Sequence, residues 1–212
     1  MAFQYQLRSP FGLFSRLTEY EIDEIDHFLE LANKAHESEQ SFLEQLGSSE
    51  NAEELSDWLA DDFAQLDTFK SLTGEFAILG LWRCVELYRK RSIRNALGVD
   101  AAKDVFNHKC FKQKLANLQI IEKNIQHADL VNELRCLNNA IKHERRVTDE
   151  LCTFAHWKNM IGADLGDLRP HYQRMLPKTK EYIEDLTQQL KFAEEQGRIT
   201  RSFSGRANDA RR

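Results

Sequence analysis

"EFAILGLWRCVELYRKRSIRNALG", residues 75–98, sets Ile78, Leu81, Trp82, Val85, Tyr88 and Ile93 along one side of an α-helix. No other segment of the chain is as apolar at that period. A helix this rich in apolar side chains belongs at the centre of a bundle, with neighbours on more than one side. Gly98 supplies its expected C-terminal cap, and the basic residues of its second half face the negative end of the helix dipole.

The remaining sequence speaks the same language. Among 212 residues only three are proline and nine glycine, and runs of alternating Val, Ile and Thr bounded by turn residues do not occur. The fold class expected is all-α, an antiparallel bundle of about five to seven helices. On the N-terminal side, Thr18 is the expected cap of a helix that carries Ile22, Ile25, Phe28, Leu29, Leu31 and Ala32 and ends near Gly47. After the polar break at "GSSEN", Leu55, Trp58, Leu59, Phe63, Leu66 and Phe69 predict a second helix running on through Gly74. On the C-terminal side, residues 101–118 read as a short helix or connection. Leu130, Leu134, Leu137 and Ile141 then mark a second core helix, and after a connection holding Thr148 and Asp149 a short helix is expected through Leu151, Cys152 and Phe154. "MIGADLGDLRP" is irregular. A last helix is expected over 178–196 with Tyr182, Ile183, Leu186, Leu190 and Phe192. One helical domain over 1–196 follows, made of an N-terminal extension (17–73), a core (about 75–160) and the C-terminal helix. Residues 197–212 are expected to form a flexible basic tail, because they hold too few apolar side chains to order themselves.

The net charge of −5 conceals a segregation. Residues 17–67 carry sixteen Asp and Glu against Lys34 alone, while residues 80–123 carry ten Lys and Arg against Glu86, Asp100, Asp104 and Glu122. Such asymmetry either forms a surface for nucleic acid or lets acidic and basic helices pack side by side. No stretch reaches the ~18 apolar residues that span a bilayer, and the N-terminus has no secretory pattern, so a soluble cytoplasmic protein is expected. Cys84, Cys110, Cys136 and Cys152 have neither paired spacing nor matching histidines, which predicts reduced thiols and no metal site. No glycine-rich phosphate loop, nucleophile elbow or zinc-protease motif is present, and no cofactor is expected.

Chemistry concentrates in "LNNAIKHERR", residues 137–146. Arg135, Asn139 and His143 recur at four-residue steps along one helix edge, with Lys142 beside them. A surface helix needing only solubility takes Glu and Lys here; asparagines compete for backbone hydrogen bonds. Asn138 stands nearer the apolar stripe, where a buried amide must find partners. Arg, Asn, Lys and His together suit a phosphodiester: cations for the anion, an amide for orientation and an imidazole for proton transfer. Arg145 and Arg146 extend the basic character past the helix end, although the dipole alone also favours cations there.

The order of an apolar helix with a mid-helix acid ("LWRCVELYRK"), a basic connection and a helix ending in "ELRCLNNAIKH" resembles the HEPN (higher eukaryotes and prokaryotes nucleotide-binding) superfamily. The resemblance covers about residues 75–160. It implies a helical core and, in many members, a metal-independent RNase that dimerises so that two motifs form one site. Such proteins are frequent in toxin–antitoxin and antiviral systems. Carried onto this chain, His143 takes the family histidine and acts as general acid or base, and Asn139 the polar residue that orients the scissile group. The arginine position holds Asn138, and Arg135, one turn earlier, is the nearest guanidinium, with Lys142 as a further phosphate ligand. Glu86 corresponds to the acid of the first core helix, although Glu86 and Lys90 also make an ordinary i,i+4 pair. RNA or a nucleotide, and a second copy of the chain, are the partners so implied. The competing expectation is a catalytically silent helical module that works through protein contacts, using the acidic helix over 18–46 or the arginine-rich tail.

Overall fold

The computed structural model describes residues 9–49 and 53–199. Five α-helices account for most of them: α1 (Pro10–Gly47), α2 (Ser56–Leu97), α3 (His108–Asn117), α4 (Ala128–His143) and α5 (Arg169–Glu195). Short 3-10 turns fill the connections, and the described residues contain no strand beyond an isolated bridge between Arg146 and Asp164. The protein is all-α, as its composition dictates. None of the helices is long and apolar enough to cross a membrane. The expected tail falls outside the described residues from 200 onward.

Four helices form the bundle, each antiparallel to its two neighbours around the ring. Glu21 meets Arg91 and Ile25 packs on Gly80, which sets α1 against α2. Glu75 meets Arg145 across α2 and the end of α4, and Glu133 meets Arg174 across α4 and α5. Asp23 meets Lys180, and Ser9 meets Glu194, across α1 and α5. Within this ring Ile78, Leu81, Val85, Tyr88 and Ile93 of α2 are fully buried, the central place predicted for residues 75–98. Leu134 and Leu137 of α4 and Tyr182, Ile183, Leu186 and Leu190 of α5 complete the same core.

Several boundaries differ from the sequence reading, each for an identifiable reason. Helix α1 begins at Pro10, whose fixed φ suits a first helical turn. Thr18, the expected cap, is instead fully buried two turns inside, and its hydroxyl donates to the Phe14 carbonyl at 2.9 Å. The two helices expected over 55–98 are one helix of 42 residues. Gly74 does not interrupt it; that position needs glycine because a Cβ would lie 3.1 Å from the backbone nitrogen of Arg169. Helix α5 starts at Arg169 and runs through Pro177. Both Pro177 and Gln173 are exposed, so water can take the carbonyl that the missing N–H leaves free.

The apolar residues of the N-terminal helices also divide between two faces. Ile22, Leu29 and Leu43 of α1 are buried, whereas Phe28 and Leu31 are each 52% exposed. In α2, Leu59 and Leu66 join Leu43 in a small second cluster away from the main core, while Trp58 and Phe69 stand in solvent. Phe192 of α5 is likewise exposed, with the Arg198 guanidinium 5.7 Å from its ring.

Candidate functional site

Helix α4 runs from a left-handed His127 to a turn in which the N–H groups of Glu144 and Arg145 both reach the Ala140 carbonyl. Arg145 takes a left-handed conformation there, a place more often held by glycine. This reverses the chain and carries Arg145 onto Glu75 of α2, while Arg146 pairs in the bridge with Asp164. Neither arginine lies near the polar edge of α4. Arg145 pairs across the seam between α4 and α2, and the side chain of Arg146 is exposed.

That edge opens into a cleft of about 330 Å³ between α2, α3 and α4. Arg135, Asn138, Asn139 and Lys142 form its α4 wall, Trp82 and Glu86 its α2 wall, and Phe106, Asn107 and His108 its third side. Five of the eight residues singled out in the sequence, Glu86 among them, are thus brought together. His143 is not: it is exposed at the helix end and does not line the cleft. The reason is geometric. Each four-residue step overshoots a full helical turn by about 40°, so two steps from Arg135 rotate His143 by about 80°, out of the wall and into solvent.

The imidazole that does line the cleft is His108, the first residue of α3. Asn107 positions it, its side chain accepting hydrogen bonds from the backbone N–H groups of Lys109 and Cys110. Neither ring nitrogen of His108 has a hydrogen-bond partner, and Nδ1 lies 3.7 Å from Oε1 of Glu122. Burial, with the charges of Arg89, Lys112 and Arg135 in support, pushes the His108 pKa down to about 4, so the ring is neutral at pH 7. A neutral imidazole offers one donor and one acceptor. Asn138, 2% exposed, donates from Nδ2 to Oδ1 of Asn139 at 3.3 Å and leaves its own Oδ1 buried without a partner.

The two cations of the cleft differ. Lys142 is exposed. Arg135 is half-buried, donating from Nε to Oδ1 of Asn132 at 3.0 Å and pairing with Glu150, whose carboxyl the guanidinium holds below its usual range. An anion entering the cleft must share Arg135 with that carboxylate. Glu86 pairs with Arg83 at 3.8 Å rather than with Lys90, whose ammonium sits 4.9 Å from the Phe106 ring.

Behind the cleft lies a buried network that no sequence pattern singles out. Arg89 is 3% exposed, donates to the Tyr182 hydroxyl at 2.8 and 3.2 Å, stacks 4.3 Å from Phe111 and stands 3.5 Å from Glu122. Glu122 also meets Lys112 at 3.3 Å. Only the isolated acid in the basic connection hinted at it. All four cysteines are free, and among the described residues no three His, Cys, Asp or Glu side chains converge as metal ligands. Comparison with family models, curated proteins and solved structures found no match to this chain.

Proposed function

We propose that the chain is a HEPN-like protein that binds RNA or a nucleotide in the cleft between α2, α3 and α4. Lys142 and a shared Arg135 take the phosphate, while Asn138, Asn139 and His108 take the polar edges of sugar or base. One observation carries the reading: Arg135, Asn138, Asn139, Lys142 and His108 line one cleft, and behind its surface Asn138 Oδ1 and both His108 nitrogens have no hydrogen-bond partner. Buried polar groups are nearly always satisfied, and a ligand with complementary donors and acceptors satisfies these. The cations beside them select an anionic ligand.

Binding is the better supported half of the RNase reading. With its pKa near 4, His108 is a weak base at neutral pH and lacks the imidazolium proton that a general acid donates. Cleavage centred on His143 needs that exposed imidazole to be carried to a cleft by a second copy, as the resemblance implies for a homodimer. The biological setting in toxin–antitoxin or antiviral defence is carried by the resemblance alone.

Fluorescence anisotropy with a labelled single-stranded RNA tests the proposal. Lys142→Ala and Arg135→Ala are each expected to weaken binding about tenfold, and Lys142→Ala to lower the salt slope by about one. Because Lys142 is exposed, its replacement leaves the melting temperature unchanged. RNA binding that ignores both substitutions contradicts the proposal.

A further inference from the structure

Helix α1 carries a second apolar face that the described residues leave largely exposed. Leu13, Leu17, Tyr20, Phe28, Leu31 and Phe42 are between 44% and 66% exposed. At 100° per residue all six fall within a sector of about 80°, opposite the face holding Phe11, Ile22 and Leu29 that packs into the core. Isolated exposed apolar residues are ordinary, but six large ones aligned along one side of a 38-residue helix, interrupted at Glu24, form a stripe. At its N-terminal end the stripe runs into a groove of about 700 Å³ between α1 and α5, lined in part by Leu13, Arg16, Glu19 and Lys191.

Regular helical spacing over such a length fits a helix laid alongside rather than a small molecule or a loop. The charges choose among helices. Helix α1 holds nine Asp and Glu against Arg16 and Lys34. Glu24 lies within the stripe, Glu39 borders one side along with Glu21, which is paired with Arg91, and Glu19, Glu30 and Glu37 form a rank beyond Arg16 and Lys34 on the other. An anionic membrane surface is repelled by that field. A second α1 laid antiparallel brings the acidic borders against each other. We infer that the stripe is a docking site for an amphipathic helix of another protein, apolar on one face and bearing Lys or Arg along its edges. Leucine-type anchors on that helix fill the spaces between Leu17, Phe28 and Leu31, and its cations reach the flanking carboxylates.

The test uses the full chain and a synthetic helical peptide of Leu and Lys, with leucines at coiled-coil core spacing, beside a Leu and Glu counterpart. Isothermal titration is expected to show binding of the Lys peptide at least tenfold tighter than the Glu peptide. The triple variant L17S/F28S/L31S keeps the charge and, its substituted residues being exposed, the melting temperature, and is expected to lose at least tenfold in affinity. Equal binding by the variant shows mere charge attraction and overturns the inference, as does failure of the wild-type chain to bind. Light scattering on the same samples covers the remaining occupant: a wild-type dimer that the triple variant converts to monomer assigns the stripe to a second copy and overturns it too.

Discussion

At Arg89 a full charge is enclosed by Tyr182, Phe111 and Glu122. Removing one member of such a buried pair leaves the other without compensation, at a cost of about 3–5 kcal/mol. Arg89→Ala is therefore expected to lower unfolding stability by about 3 kcal/mol or more in a denaturant titration, and a loss under 1 kcal/mol contradicts the enclosure. His108 beside it gives a pH dependence. Its folded pKa of about 4 lies below the ordinary value of about 6.5, so between those values the unfolded chain binds a proton that the folded chain refuses. Stability is fully present above about pH 6.5 and falls as the pH drops toward 4, by up to roughly 3 kcal/mol from this ring. His171, stacked on Trp157 and likewise pushed down to about 4 by burial, adds in the same direction. His108→Gln is expected to flatten that part of the pH profile; an unchanged profile contradicts the burial argument.

At the scale of the helix, the informative comparison is between pattern and partner. The apolar period of residues 75–98 and of α4 was legible because each stripe faces one core, and Gly98 ends α2 with φ 92° as a terminal glycine should. The joint at Gly74 was not legible: a glycine that admits the backbone of α5 looks in sequence like one that ends a helix. Gly74→Ala is expected to destabilise by roughly 1 kcal/mol, although alanine's helix preference is worth about that much in the opposite direction. The Arg169 nitrogen 3.1 Å from the new methyl group belongs to the backbone of α5, which would have to give by a few tenths of an ångström. A stabilised variant in thermal melts contradicts this packing. The two apolar faces of α1 were merged in the sequence reading, since Phe28 beside Leu29 and Leu31 beside Ala32 give no sign of which one a neighbour covers.

Across the whole molecule, the segregation of charge resolves in part into packing. Glu21 meets Arg91, Asp23 meets Lys180, and Glu122 collects Arg89 and Lys112, so three of the ten cations over 80–123 are engaged by these pairs. What remains for a ligand is local. The α4 wall of the cleft was legible from Arg135, Asn138, Asn139 and Lys142, because one helix edge is a short-range property of sequence. Of its opposing side only Glu86 was, because His108 reaches the cleft through the bundle topology and stands alone in its own segment. The central claim is that this cleft, with His108 inside and His143 outside, is the binding site. Isothermal titration of a single-stranded RNA into His108→Gln and His143→Ala tests it most directly. The account predicts about a tenfold loss of affinity for His108→Gln and wild-type affinity for His143→Ala; loss with His143→Ala and none with His108→Gln contradicts it.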